Sequence, residues 1–209
     1  MKMLKRSSIT ISVLTAAGIL AGCVRSVHPL YTSSDVVYRE SLVGTWEQSD
    51  QETTWQVTVS QEEQRDQAYR LVMTDDEGRP GTFLAHLVKL EDALFLDLFP
   101  IAPQATNNGL HRFHFQPVHT FLRVEIGEKT LSLAPMNPKW LEEHLQDTPD
   151  ALPHTKVTPL GHPLNGDNGN MDEQLLLTAS TSELQRFVRK HINTEGAFGD
   201  AVELRKLVR

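Results

Sequence analysis

From Leu42 to Ala134 the chain alternates between apolar and polar residues, the period of strands with one face buried. Leu42–Gln48 is the first element expected. Trp55, Val57 and Val59 stand against polar neighbours over 54–60, and the polar stretch 61–67 turns the chain. Tyr69, Leu71 and Met73 resume the alternation, which Asp75-Asp76-Glu77-Gly78-Arg79-Pro80-Gly81 closes with turn residues. Thr82–Leu90 and Leu94–Phe99 come next, and both are apolar on two faces. Strands of that kind need cover on the outside as well as the inside. After an irregular stretch, 100–109, the residues Val118, Thr120, Leu122, Val124 and Ile126 mark another strand. Gly127-Glu128-Lys129 turns it into Leu131–Ala134.

The period then changes. Asn137-Pro138 is a helix start, and Trp140, Leu141, His144 and Leu145 gather on one side of the helix it opens. Residues 159–172 are rich in Gly, Asn and Pro and read as a loop, and Leu175–Thr178 as a short strand. Ser180 with Glu183 matches a capping box. It precedes a stripe of Leu184, Phe187, Val188, His191 and Ile192 at helical spacing. These two helices are the expected cover for the two-sided strands. Residues 197–209 have no clear period. The expected fold is therefore mainly β within an α+β class: an antiparallel meander or small barrel with two C-terminal helices packed outside.

The N-terminus departs from this pattern. Lys2, Lys5 and Arg6 precede an apolar run, Ile9–Leu20, of about a dozen residues, whereas a spanning helix needs roughly 20. With the small residues after it, this is the layout of a secretory signal peptide. Leu20-Ala21-Gly22-Cys23 resembles the lipobox of bacterial lipoproteins, and Cys23 is the one cysteine in the chain. That resemblance implies cleavage after residue 22, a diacylglycerol on Cys23, and anchoring to the membrane. Val24 in place of an aspartate implies sorting to the outer membrane, facing the periplasm. The expected organisation is a signal peptide over 1–22, a lipidated tether over 23–40, broken by Pro29 and Ser33-Ser34-Asp35, and one globular domain over 41–209.

Cleavage removes three positive charges and moves the formal charge from −7 to −10. So acidic a domain argues against a nucleic-acid partner, whose binding depends on a basic face. With Cys23 consumed by lipid, disulfides, thiol catalysis and cysteine metal ligands all fall away.

Two further resemblances bear on the fold. Gly44-Thr45-Trp46 opens the meander and is similar to the Gly-x-Trp motif of lipocalin-like domains. That likeness implies a glycine bending the chain at the closed end of a barrel and a tryptophan plugging it. More broadly, Pro29-Leu30-Tyr31-Thr32, Leu42–Trp46, Gly81–Leu90, Leu94–Pro100, Val118–Val124 and Ala197-Phe198-Gly199 resemble an uncharacterised family of bacterial lipoproteins. The family implies an exported, folded domain and transfers no catalytic residue.

Candidate chemistry is sparse. His111, His114 and His119 lie close together, but 111 and 119 share a strand face that 114 does not, so solvated loop histidines are preferred to a metal site. His86 and Asp97 sit in the two-sided strands. If Glu91-Asp92 is a two-residue turn, Leu90 faces Ala93 and His86 faces Asp97 directly. Such a pair is either a structural cross-strand contact or an acid/base couple. No nucleophile elbow, zinc-protease helix, phosphate-cradling loop or dinucleotide fingerprint is present. The reading is an envelope lipoprotein serving as a binding or interaction module, without metal or cofactor, in preference to an enzyme. Its partners are the membrane, through the lipid, and an envelope protein or apolar small molecule. The alternative is a lipocalin-like carrier of an apolar molecule or lipid. Third comes a hydrolase-type enzyme using His86 and Asp97.

Overall fold

The computed structural model describes residues 23–48, 53–60, 67–101, 116–158 and 173–207. The expected signal peptide (1–22), the loop 159–172, and His111 and His114 lie outside these residues.

Eight antiparallel strands close into a barrel. They are β2 (Gly44–Gln48), β3 (Thr54–Val59), β4 (Tyr69–Thr74), β5 (Pro80–Leu90), β6 (Ala93–Pro100), β7 (His119–Ile126), β8 (Thr130–Pro135) and β11 (Val202–Lys206). β2 to β8 follow one another as a meander. β11 pairs with both β8 and β2 and completes the circle. Closure leaves no free edge around the ring.

Alternation decides the interior. Trp46, Trp55, Val57, Tyr69, Leu71, Ala85, Leu87, Leu96, Leu98, Leu122, Val124, Leu131, Leu133 and Leu204 point inward and pack as one cluster with Leu42. Trp46, Trp55 and Tyr69 are each wholly buried, and rings of that size fill much of an eight-stranded barrel.

The outer faces of β5, β6 and β7 carry a second cluster. Val88, Leu90, Phe95 and Phe121 meet Leu141 and Leu145 of α1 (Pro138–Asp147) and Leu184, Phe187 and Val188 of α2 (Thr181–His191). The two-sided strands are thus buried inside by the barrel and outside by the helices, as their composition requires. Both helix starts form as the sequence dictates. Asn137 Oδ1 accepts from the Lys139 and Trp140 N–H groups, and Ser180 and Glu183 make a reciprocal capping box.

Residues 23–40 differ from expectation. They are not a tether but a strap built into the domain. β1 (Arg25–Ser26) pairs with β7 and with β10 (Gln174–Leu177), which in turn pairs with β9 (His154–Val157). Leu30 is fully buried against the helix layer. Val36 bridges to Val88 beyond the start of β4, and the Val37 N–H donates to the Leu87 carbonyl at 2.8 Å. The chain then makes a 3-10 turn, Glu40–Leu42, and enters β2. Pro29 and the serines do prevent regular structure. The strap is held instead by single long-range contacts, which leave no local periodic trace.

Candidate functional site

Gly44 and Trp46 close one end of the barrel. Gly44 has φ +144°, outside the range favoured by L-residues, and a Cβ there would stand 2.6 Å from Lys206 Cε. The space it leaves is filled by Lys206, whose Nζ lies 5.0 Å from the Trp46 ring centroid and donates to the Ser41 carbonyl at 2.8 Å. Trp46 Nε1 donates to the Leu42 carbonyl at 2.9 Å. The 3-10 turn, the tryptophan and the closing strand are thereby tied together.

Cys23 begins the strap at the opposite end of the barrel. It is partly buried and packs against the barrel cluster, and burial pushes its thiol up to about 12. An unmodified thiol in that setting is a poor nucleophile. A shallow cleft of about 200 Å³ adjoins it, bordered by Val24, Pro138, Glu142 and Leu175.

His86 and Asp97 are directly opposed across the β5–β6 hairpin, and Leu90 faces Ala93, the register that a Glu91-Asp92 turn requires. Both point outward from the barrel and are buried under the strap. The Asp97 carboxylate is occupied: Oδ1 lies 2.6 Å from His119 Nδ1, and Oδ2 accepts the Leu30 N–H at 2.8 Å. The His86 ring stacks on Tyr31 with centroids 4.2 Å apart. His119, expected to be a solvated loop histidine, is instead buried at the start of β7, and sequence reasoning missed it as the partner of Asp97. The signal was there, since β7 follows β6 and His119 falls on the outward-facing parity. Buried beneath Leu30 and Tyr31, these residues make a structural cluster that pins the strap to the sheet.

Two other features were not legible in the sequence. A cleft of about 430 Å³ lies between the outer face of β7–β8 and the chain leaving α2. It is lined by Arg123, Glu125, Ser132, Asn193, Thr194 and Phe198. Arg123 Nη1 donates to the Ile192 carbonyl at 3.1 Å and so joins the sheet to the helix end. Above it, Trp140, His144, Phe187 and His191 form an aromatic box between the helices, with His144 and His191 centroids 4.8 Å apart. Burial, then neighbouring His144 and Lys190, hold the His191 imidazole below its ordinary value.

Among the described residues, no group of three or more His, Cys, Asp or Glu side chains is arranged to hold a metal ion, and no helix is long and apolar enough to cross a membrane. Comparison of the chain with protein-family models, curated proteins and solved structures finds no match.

Proposed function

We propose that the protein is a lipid-anchored lipoprotein of the bacterial envelope that serves as a binding or interaction module. The observation that carries this reading is the Leu20-Ala21-Gly22-Cys23 run after a charged start and a short apolar core. The packing supports it: Val24 and Leu30 are buried almost immediately after that cysteine, where a domain released by cleavage would begin. Val24 favours the outer membrane. The polar cleft of about 430 Å³ beside Arg123 and Glu125 offers a partner two charges of opposite sign next to Ile192 and Phe198.

Labelling cells with a radioactive fatty acid tests the anchor. The wild-type chain takes up label and Cys23→Ser does not. Persistent labelling of the variant would refute the reading.

A carrier of an apolar molecule is the second reading, favoured by the barrel topology. The interior side chains oppose it, because Trp46, Trp55 and Tyr69 occupy the space a calyx would need. Native mass spectrometry on the domain from residue 24 onward separates the two. Reproducibly co-purified lipid supports the carrier, and a clean apo mass supports the surface module. A hydrolase using His86 and Asp97 comes third. It requires that His86→Ala abolish an activity found in a broad hydrolase screen.

A further inference from the structure

The barrel's two ends differ in chemistry. The end at Glu40–Leu42 is sealed by Trp46 and Lys206. At the other end, three residues on the inward-facing rows carry buried polar atoms that have no hydrogen-bond partner among the described residues: Arg25 Nε and Nη2, Trp55 Nε1 and Gln48 Oε1. Their placement follows from register. Arg25 is opposite Thr120, and Thr120 is opposite Leu98, which belongs to the barrel interior, so Arg25 faces the same side. Gln48 ends β2 on the row of Trp46, and Trp55 is the second residue of β3, opposite Trp46 and Met73.

Arg25 is the decisive member. A guanidinium stays charged at any pH a protein survives. Arg25 as a whole is partly buried, but its Nε and Nη2 are shielded from solvent, and shielding donors of a permanent cation without an acceptor is unfavourable. The two shielded atoms, Nε and Nη2, form the side edge of the guanidinium, the edge that gives two parallel N–H bonds to a carboxylate or phosphate. Trp55 adds a donor on the same inward side, and Gln48 adds an acceptor.

We propose that this end of the barrel is an oxoanion site. The Arg25 side edge and Trp55 Nε1 donate to a phosphate or carboxylate group, and Gln48 Oε1 accepts from a hydroxyl or amine of the same ligand. The site lies two residues from Cys23, so the anion is either a free metabolite or a phospholipid headgroup. The site does not depend on lipidation, and its test stands apart from the labelling of Cys23.

Calorimetric titration of the full chain with inorganic phosphate, with acetate and with a short-chain phosphatidylglycerol separates these sources. Saturable binding of phosphate or acetate assigns a free anion, and binding of the phospholipid alone assigns a headgroup. In either case Arg25→Gln weakens binding by about tenfold or more, the loss expected for charge-assisted hydrogen bonds. Trp55→Phe, which keeps the ring and removes the donor, weakens it by about threefold to tenfold. The winning ligand also raises the melting temperature of wild type and leaves that of Arg25→Gln unchanged. Should Arg25→Gln fail to fold, Arg25→Lys replaces it: the charge remains, the fork is lost, and binding weakens to an intermediate degree. No saturable binding by any of the three ligands, or equal affinity in the Arg25 variant, overturns the proposal.

Discussion

Asp97 and His119 meet at 2.6 Å on the outer face of the barrel, with Asp97 wholly buried and its second oxygen held by the Leu30 N–H. One carboxylate therefore joins two neighbouring strands to the strap that crosses them. Removing Asp97 leaves the His119 ring nitrogen and the Leu30 N–H without their acceptor, and an unsatisfied buried group costs about 1–3 kcal/mol. Asp97→Ala is expected to destabilise by that amount in urea unfolding, and a loss below about 1 kcal/mol would remove the pair from the framework. Asp97→Leu combined with His119→Phe is expected to recover part of the loss, because an apolar replacement leaves only the Leu30 N–H without an acceptor.

The strap makes its own prediction. Leu30→Ala deletes a fully buried side chain and is expected to cost about 2–5 kcal/mol. In a free tether the same change would stay within about 0.5 kcal/mol of zero. Denaturant midpoints at constant slope distinguish the two outcomes.

At the sealed end, Gly44→Ala forces a Cβ into a positive-φ position and against Lys206 Cε. Backbone strain of that kind costs about 1–3 kcal/mol. The lysine tip can swing away, but only by leaving the Ser41 carbonyl and the Trp46 ring. Gly44→Ala and Lys206→Ala are therefore expected to be non-additive in a double-mutant cycle, the glycine change costing less once the lysine is gone. Strict additivity would contradict the contact.

His191 predicts a pH dependence. Its folded-state value lies below the ordinary 6.5, so the unfolded chain takes up its proton first as pH falls. The contribution is complete above about 6.5 and declines as pH drops from there toward the lower folded-state value. The groups facing it are His144 on α1, Thr194, which contacts His191 Nδ1 at 3.2 Å, and Lys190 on its own helix. His191→Phe is expected to flatten the fall in stability as pH drops below about 6.5. An unchanged slope would show that the imidazole is not the titrating group.

Much of the barrel was readable because its strands are locally consistent. Tyr69-Leu71-Met73 and Leu122-Val124-Ile126 declare their inward faces, and the Glu91-Asp92 turn sets the His86–Asp97 register without any tertiary knowledge. Asn137-Pro138 and Ser180/Glu183 mark their helices through chemistry confined to one turn. The elements that leave no such mark depend on distant partners. β11 has a single fully buried residue, Leu204, and gains its identity from β2 and β8. β1 is two residues long and exists because β7 and β10 flank it. The unpartnered Arg25 edge was equally hidden, since no local pattern tells which way a two-residue strand faces.

The closing strand also sets an order of events. Until Val202–Lys206 arrives, β2 and β8 are open edges, and Trp46 lacks the cation that lies over it. A chain synthesised from its N-terminus holds a nearly finished sheet with two sticky margins until the closing strand has been made. Pairing Trp46 with Lys206 joins residues 160 positions apart, the kind of late, long-range contact that slows folding. For this protein, the interval before closure is when misassembly with a neighbouring copy is most open to it, and a holdase that shields strand edges would act there.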